Sequence, residues 1–298
     1  MGDINQNKIC AIIVTYNPDY GLINLINTIK NQVERIIIID NNSDEFTLPK
    51  ILENICDSNI LQFKNKENYG IGKALNQGVE IAIKLGFEWV ITFDQDTIPF
   101  NNIIDIISEV YYSYPDRNNI GAIGTNYIYK DLKKKYQSSN VKLYEKKDVL
   151  ITSGCFVPVR IFLEIEGFRE DMFIDHIDEE FCLRLKKHGK ISLISSKLGM
   201  VHEAGNIKKI SILGLPFSSS NHSTLRRFYM SRNHVLLTKE YIFINPIFIV
   251  KSSVSFFIEL LQMLIVDDNK IRKLIATIKG LYLGIIYASN KKKYYDFK

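Results

Sequence analysis

The stretch RIIIIDNNS, residues 35–43, decides the fold class of this chain. Its four consecutive isoleucines are apolar and β-branched, which predicts a buried strand over residues 35–39. The polar residues 40–43 then end that strand in a turn. Two other apolar runs, residues 9–14 and 88–93, are also followed by polar residues, so each is predicted to be a strand that ends there.

Apolar residues recur at helical spacing between these strands, at residues 20–33, 48–57 and 72–85, and a fourth strand is predicted over residues 60–63. Strand and helix therefore alternate through about the first hundred residues. This alternation predicts an α/β sandwich with parallel strands and crossover helices. Ligands bind such sheets at the carboxyl ends of the strands. Polar clusters lie at those ends, at residues 15–17, 40–42, 68–72 and 94–96.

The composition is that of an ordinary globular protein, with 46% hydrophobic and 24% charged residues in a chain of 298. The net charge of +5 is modest, and we expect no nucleic-acid partner because no nucleic-acid-binding module is present. The four cysteines are widely spaced, so neither a zinc site nor a disulfide framework is predicted. The first eight residues lack the apolar core of a secretory signal, and we expect a cytoplasmic protein.

Asp94-Gln95-Asp96 follows the predicted strand that contains the single tryptophan of the chain. Side chains two residues apart in an extended segment share a face, so both carboxylates can address one ligand. Two such oxygen ligands suit Mg²⁺ or Mn²⁺, which can then hold a diphosphate. This pattern also occurs by chance in surface turns. Its place directly after a buried strand favours the metal and nucleotide role.

A run of three acidic residues, Asp178-Glu179-Glu180, opens a predicted helix over residues 178–188. Acidic residues at a helix start complement the helix dipole, which is the simplest explanation for them. Three in a row exceed that need, and a carboxylate at the edge of a ligand site can act as a base that accepts a proton. Asp178 is the candidate base, with Glu179 and Glu180 as alternatives.

The chain changes character towards its C-terminus, and we expect a domain over residues 1–240 and a helical region over residues 241–298. Apolar segments at 241–250 and 254–266 are separated by Lys251, and residues 271–287 form a basic amphipathic segment. A spanning helix needs a continuous apolar stretch, and Lys251 and Glu259 break the apolar sequence here. We therefore predict a pair of interfacial, membrane-associating helices. A buried helical hairpin and the face of a homodimer are the alternatives.

Several motifs, taken in order, resemble those of the family 2 inverting glycosyltransferases of GT-A fold. These are Val14-Thr15-Tyr16-Asn17, Asp40-Asn41-Asn42-Ser43, Asn68-Tyr69-Gly70-Ile71-Gly72, Asp94-Gln95-Asp96 and Ile177-Asp178-Glu179-Glu180. Phe93 before Asp94, and the later stretch at residues 226–233, most resemble the bacterial dTDP-rhamnosyltransferases within that family. The resemblance covers residues 8 to 240. It departs from the family pattern at Ile177, where relatives carry a first acidic residue.

The resemblance implies a GT-A fold, with a Rossmann-like mixed sheet flanked by helices, and a site for a nucleotide sugar. The nucleotide-sugar-binding residues would be Thr15, Tyr16, Asn17, Asp40, Asn42, Asn68, Gly70, Lys73, Asp94, Gln95 and Arg232. In this set Asp40 would bond the edge of thymine or uracil, Lys73 would approach the diphosphate, and Arg232 would neutralise the leaving nucleotide. The metal ligands would be Asp96, Asp94 and His202, and Asp178 would be the base.

The function implied is transfer of a hexosyl unit, with L-rhamnose from dTDP-L-rhamnose favoured, to a lipid-linked saccharide in polysaccharide biosynthesis. The expected location is the inner face of the cell membrane. A hexosyltransferase that uses a UDP-sugar is the nearest alternative. A sugar-phosphate nucleotidyltransferase is a further one, although the first strand lacks the glycine-rich basic loop of that class. A non-catalytic scaffold is a third, and the presence of Asp94, Asp96 and Asp178 argues against it.

Overall fold

The structure is a computed structural model that describes residues 4–53, 57–129, 142–202, 207–212 and 215–294. Of the predicted features, Cys56 and the residues directly after His202, 203–206, lie outside the described part. The chain divides into two compact units, and each is described by itself. The first contains Met1–Phe173 and Ile177–Glu203, and the second contains Ile174–His176 and Ala204–Lys298. The domain boundary predicted at residue 240 falls inside the second unit, and it stays a prediction.

The first unit is built on one nine-stranded sheet flanked by helices. Its strands are β1 (Ile9–Thr15), β2 (Arg35–Asp40), β3 (Ile60–Lys64), β4 (Trp89–Asp94), β5 (Ile98–Pro99), β6 (Ile120–Tyr129), β7 (Tyr144–Lys147), β8 (Cys155–Pro158) and β9 (Ile191–His202). Its helices are α1 (Gly21–Ile29), α2 (Thr47–Leu52), α3 (Ile71–Lys84), α4 (Ile103–Ser113), α5 (Val159–Glu164) and α6 (Ile177–Lys187).

The strand order is β3-β2-β1-β4-β8-β6-β9-β5, with β7 paired to β9. The first four strands in this order are parallel, whereas β8 runs antiparallel to both β4 and β6. The sheet is therefore mixed. The predicted α/β class and its mixed GT-A sheet are confirmed.

The central strand β1 is buried on both faces, which explains its apolar sequence. Ile9, Ala11 and Ile13 belong to the core cluster that also contains residues of α1 and α4. On the other face, Ile12 packs against α3, where a side chain at Gly78 would overlap the Ile12 methyl. Glycine at this position lets α3 lie close to the sheet.

Two predicted helices end earlier than the apolar pattern indicated. The helix predicted over residues 20–33 ends at Ile29. Beyond its end, the Gln32 side-chain amide donates to the carbonyls of Thr28 and Phe100. The helix predicted over residues 48–57 ends at Leu52. The acidic helix predicted over residues 178–188 is α6, shifted by one residue.

The second unit contains the hairpin strands β10 (Lys208–Ile212) and β11 (Leu215–Ser219) and three long helices. The helices are α7 (Thr224–Tyr241), α8 (Pro246–Val266) and α9 (Lys270–Tyr294). Gly280 and Gly284 of α9 lie directly against the backbone of α7, where any side chain would collide with Phe228 or Arg232. These glycines allow α7 and α9 to pack closely.

The prediction of two separate apolar segments around Lys251 was wrong. Residues 246–266 form one continuous helix, because lysine is a good helix former and neither glycine nor proline interrupts the run after Pro246. Asn245 begins the helix by accepting a hydrogen bond from the Phe248 N–H. Among the described residues, α8 is the one helix long and apolar enough to cross a membrane. The mean hydropathy of its apolar stretch is 1.8, and 17% of that stretch is buried.

Candidate functional site

The polar ends of three neighbouring strands lie side by side in the first unit. Thr15 of β1 is in register with Asp40 of β2, and Val14 is in register with Asp94 of β4. All three strands are parallel, so their carboxyl ends open at the same edge of the sheet. The clusters predicted to bind nucleotide sugar therefore converge.

Asp40 is buried and its carboxylate is held by neighbouring residues. Its Oδ1 accepts hydrogen bonds from the Ser43 hydroxyl at 2.5 Å and the Ser43 N–H at 3.0 Å, with the Thr15 hydroxyl at 3.5 Å. Ser43 in turn accepts the Asn17 N–H at 2.8 Å. Asn17 and Asn42, which have φ of 46° and 70°, both lie exposed at this edge. These contacts fix the loops after β1 and β2 together.

Asn41 is a central residue of the site that the sequence analysis did not select. Its Nδ2 donates to Asn68 Oδ1 at 2.8 Å and to the Gly70 carbonyl at 3.2 Å. Its Oδ1 accepts from Asn65 Nδ2 at 3.1 Å and from the Tyr69 N–H at 3.0 Å. The position of Asn41 directly after a predicted buried strand could have identified it, because a buried asparagine needs hydrogen-bond partners for both its amide NH₂ and its oxygen.

Gly70 and Lys73 begin the α3 side of this edge. Gly70 has φ of 86°, and a side chain there would lie within 2.6 Å of the Phe173 carbonyl, so glycine is required. The Lys73 ammonium lies 4.4 Å from the centre of the Tyr69 ring, a cation–π contact. Lys73 thus lies beside the loop that Asn41 holds.

Gln95 contacts the backbone of the loop after β1. Its Oε1 accepts the Tyr16 N–H at 2.8 Å and its Nε2 donates to the Tyr16 carbonyl at 3.2 Å. The Tyr16 side chain is 50% exposed. Gln95 therefore ties two strand ends together through its amide, and the Tyr16 ring is the part that faces solvent.

Asp94, Asp96 and His202 form the candidate metal site. One ligand atom from each lies within 4.8 Å of the others, although β9 brings His202 from more than a hundred residues away. Asp96 Oδ1 is buried and has no hydrogen-bond partner among the described residues. A buried carboxylate oxygen without a partner is costly, and a cation would compensate it. The three side chains fit a divalent ion.

A line of hydrogen bonds lies behind these ligands. His202 Nδ1 is 3.1 Å from Thr97 Oγ1, and Thr97 Oγ1 is 2.6 Å from Ser153 Oγ. Ser153 Oγ accepts the Asp94 N–H at 3.2 Å. Thr97 and Ser153 are buried, at 0% and 1% exposure. These bonds join two of the candidate ligands through the protein interior.

Tyr127 connects the surroundings of His202 with those of Asp178. The Tyr127 and Tyr129 rings lie 6.1 and 6.2 Å from the His202 ring, centre to centre. Burial raises the pKa of Tyr127 above its ordinary value, and the hydrogen bond to Tyr129 and the negative charge of Asp178 add to the shift. Asp178 is therefore close enough to Tyr127 for its charge to act there.

The acidic residues at the start of α6 have different surroundings. Glu180 is 2% exposed and forms two hydrogen bonds with Arg184, from Nε at 3.1 Å and from Nη2 at 2.9 Å. Asp178 is half-buried, and its Oδ1 accepts the Glu179 N–H at 3.0 Å. The alternatives open at residues 178–180 are thereby reduced, because the Glu180 carboxylate is engaged by arginine.

The arginines of α7 are engaged within the second unit. Arg226 holds the Asp175 carboxylate through Nε and Nη2, at 2.8 to 3.1 Å. Arg227 is buried near Asp267. Arg232 donates to Asn233 Oδ1 and lies 4.9 Å from the centre of the Tyr229 ring. The contacts of Arg226 and Arg227 are those of structural ion pairs, and the role predicted for Arg232 stays a prediction.

Three cysteines, Cys10, Cys155 and Cys182, are free and buried in the first unit. Burial raises the pKa of the Cys155 thiol well above its usual range, and the Cys182 thiol and the Asp178 charge act in the same direction. A thiol with a raised pKa is a poor nucleophile at neutral pH. The burial and raised pKa of Cys155 therefore argue against a nucleophilic role for this residue.

Comparison with known proteins places this geometry in a family. Residues 10–162 match the family model described as Glycosyl transferase family 2. The chain is 33% identical over 250 residues to the dTDP-rhamnosyl transferase RfbF of Shigella flexneri, covering 79% of this chain and 81% of that protein.

Solved structures of TarS from S. aureus share the fold. The structure of residues 1–349 in complex with UDP-GlcNAc aligns with a TM-score of 0.53 at 14% identity, covering 92% of this chain and 71% of that one. The complex of the same fragment with UDP aligns with a TM-score of 0.52 at 13% identity, covering 92% and 70%.

Proposed function

Because the chain belongs to glycosyltransferase family 2, we propose that it transfers an L-rhamnosyl unit from dTDP-L-rhamnose to a lipid-linked saccharide, with inversion. The observation that supports rhamnose is the 33% identity to a dTDP-rhamnosyl transferase over about four-fifths of both chains. The proposed setting is cell-surface polysaccharide biosynthesis on the cytoplasmic side of the membrane.

The donor diphosphate is proposed to bind between Lys73 and the three candidate ligands Asp94, Asp96 and His202. A divalent ion held there would neutralise the charge that develops on the departing nucleoside diphosphate. Two carboxylates and one imidazole suit Mn²⁺ better than Mg²⁺, because Mg²⁺ prefers an all-oxygen set. The observation that supports a metal ion at this place is the Asp96 Oδ1 atom, which is buried and has no hydrogen-bond partner among the described residues.

Asp178 is proposed as the base. Its carboxylate would accept the proton of the acceptor hydroxyl while that oxygen forms a bond to the anomeric carbon of the donor. The bond from the anomeric carbon to the phosphate oxygen breaks in the same step, and dTDP leaves. Asp178 is suited to this because it is half-buried and its charge acts on Tyr127, whose ring contacts His202.

The test of the base compares Asp178→Asn with Glu179→Gln, which removes a neighbouring charge from the same helix turn. We expect Asp178→Asn to reduce transfer by about 10²- to 10⁴-fold, the usual contribution of a general base. Binding of dTDP, measured by calorimetry, should stay unchanged in both variants. Equal losses in the two variants, or normal turnover in Asp178→Asn, would remove Asp178 from this role.

Donor identity is tested by thermal stabilisation with dTDP-, UDP- and GDP-sugars in the presence of Mn²⁺. A ligand that binds the folded chain at 100 times its dissociation constant stabilises it by about 2.7 kcal/mol, so the true donor should stand out. Stabilisation by a UDP-sugar alone would replace dTDP-rhamnose with the UDP-sugar alternative. Release of pyrophosphate from dTTP and a sugar phosphate would instead identify a nucleotidyltransferase.

The acceptor side is proposed to lie at a membrane, with α8 and α9 in peripheral contact. Seven large apolar residues are exposed on α8. Ile258 lies beside a row of the other six, which are spaced three or four apart, as on one face of a helix: Ile247, Val250, Val254, Phe257, Leu261 and Leu264. An exposed row on α9 has the same spacing: Ile271, Ile275, Ile278, Tyr282 and Ile285. The sequence of α9 contains lysine and arginine but no acidic residue, which suits anionic lipid headgroups.

Sedimentation with vesicles tests this contact. We expect binding to vesicles that contain phosphatidylglycerol, weaker binding to pure phosphatidylcholine, and loss of binding for Phe257→Ser with Leu261→Ser. Leu163→Ser is the matched control, because Leu163 is equally exposed but lies on α5. Resistance of bound protein to alkaline extraction would contradict a peripheral contact and indicate that α8 spans. A homodimer through these faces would instead be seen as a doubled mass by light scattering without lipid.

A further inference from the structure

We propose that Thr97 and Ser153 are positioning residues of the metal site, which hold His202 through Nδ1 and leave Nε2 for the cation. We further infer that their two hydroxyls let His202 change tautomer when a cation binds. The inference rests on the metal-dependent function proposed above. It concerns residues that touch neither the proposed donor nor the proposed cation.

The geometry at His202 assigns its two ring nitrogens to different tasks. Nδ1 lies 3.1 Å from Thr97 Oγ1, within hydrogen-bond distance, and Thr97 is completely buried. Nε2 is therefore the nitrogen left to join Asp94 and Asp96. In metal sites generally, the hydrogen bond at one histidine nitrogen decides which nitrogen is free to bind the metal.

The protons of this network can be arranged in two ways. In the first, Ser153 donates to Thr97 and Thr97 donates to His202 Nδ1, so the histidine proton sits on Nε2. The Ser153 oxygen then accepts the Asp94 N–H, so both hydroxyls and His202 Nδ1 have partners. This arrangement suits the chain without a cation, because an Nε2–H faces the two carboxylates.

In the second arrangement Nδ1 carries the proton and donates to Thr97, and Thr97 donates to Ser153. Nε2 then has a free lone pair, which a cation requires. Both hydroxyls turn and no heavy atom moves. The Ser153 proton loses its acceptor in this arrangement, which is a cost that binding of the cation must exceed. A hydroxyl at position 97 is essential, since it alone can either donate to Nδ1 or accept from it.

The tautomer is read directly from ¹⁵N spectra of histidine-labelled protein, with His202 assigned by comparison with His202→Gln. The spectra are recorded at about pH 8, where free histidine is neutral. We expect the proton on Nε2 in the cation-free chain and on Nδ1 after saturation with Mg²⁺, which is diamagnetic. An unchanged tautomer in the wild-type chain would overturn the proposed exchange without any variant.

Thr97→Val removes the hydroxyl and keeps the shape of the side chain. We expect its Mn²⁺ dissociation constant, measured by electron paramagnetic resonance, to rise by about 10- to 100-fold, as for other residues that orient metal ligands. Thr97→Ser restores a hydroxyl and should restore most of the affinity. Ser153→Ala should weaken binding in the same direction, which keeps the test valid if Thr97→Val fails to fold.

Thr125→Val is the matched control, because Thr125 is also a buried threonine of the first unit but its hydroxyl has no hydrogen-bond partner among the described residues. Its Mn²⁺ affinity should match that of the wild type. Unchanged affinity in Thr97→Val, with a loss in Asp96→Asn and His202→Gln, would overturn this inference alone. Unchanged affinity in Asp96→Asn and His202→Gln would instead refute the proposed metal site itself.

Discussion

Asp267 lies at the end of α8 and holds together a buried cluster of charges in the second unit. Its side chain is fully buried, and its Oδ2 lies 2.9 Å from Lys273 Nζ of α9 and 3.8 Å from Arg227 Nη2 of α7. Both cations are about 6% exposed. Replacement of Asp267 by asparagine would remove the buried anion of this cluster and leave Lys273 and Arg227 buried without its charge.

The magnitude follows from what remains around those cations. Loss of one partner from a buried ion pair usually costs about 3–5 kcal/mol. Lys273 keeps a hydrogen bond to Asn221 Oδ1 at 2.6 Å, and Arg227 keeps Glu259 at 3.9 Å. The asparagine oxygen can also still accept a hydrogen bond. We therefore expect about 3 kcal/mol for Asp267→Asn, and a value nearer about 5 kcal/mol for Asp267→Ala.

Urea denaturation followed by circular dichroism measures this loss, because more than half of the described helical residues lie in α7, α8 and α9. With slopes of about 1–3 kcal/mol per molar, 3 kcal/mol moves the midpoint by about 1–3 M. Fluorescence of Trp89 follows the first unit separately.

Asp268→Asn is the control for this measurement. Asp268 is the next residue, and its 2.6 Å contact with Lys208 is shorter than any that Asp267 makes. The Lys208 and Asp268 side chains are 36% and 64% exposed, however, so this pair lies in solvent. Exposed pairs contribute little, so its midpoint should stay within error of the wild type. If Asp267→Asn shifted the midpoint no more than Asp268→Asn, the argument from burial would be refuted.

Three further outcomes are expected. Burial and then the Arg226 charge lower the pKa of His222 to about 4, so the unfolded chain takes up the proton first and stability should fall between about pH 7 and pH 4. In His222→Gln the urea midpoint should fall less than in the wild type when the pH is lowered over this range. An equal fall in both proteins would exclude His222 as its source. Gly70→Ala should weaken dTDP binding and lower the melting temperature, because it combines a positive φ with a clash against the Phe173 carbonyl; an unchanged melting temperature would contradict this. The buried thiols of Cys10, Cys155 and Cys182 should react with iodoacetamide at about pH 8 only after the chain unfolds, as measured by mass spectrometry. Fast labelling of the folded chain would contradict their burial.

The parallel half of the sheet could be predicted because each of its strands carries its own signal. Residues 36–39 are four isoleucines followed directly by polar residues, and the structure places β2 there. The convergence of Asp94 and Asp96 with His202 was predicted only through the family resemblance. No local pattern links His202 to β4, because β9 reaches that edge of the sheet through pairing with β5 and β6.

Other features depended on contacts that no spacing reveals. The antiparallel insertion of β8 between β4 and β6 is a long-range pairing, which the local sequence of residues 155–158 does not specify. The continuity of α8 was missed because charge at Lys251 was taken as an interruption, whereas a single exposed lysine leaves a helix intact. The functions of Asn41 and Thr97 were missed because each acts through partners far apart in the chain.

The hydrogen bonds of the Asn41 amide affect the entropy of nucleotide binding. All four of its hydrogen-bonding positions are used on one loop, residues 65–70 between β3 and α3, whose asparagines and glycine would otherwise let it sample many conformations. The cost of ordering that loop is therefore met during folding, before any ligand is present. Calorimetry should accordingly find a small entropic penalty on association, and exchange of the Tyr69 amide hydrogen with solvent should be slow even in the empty protein.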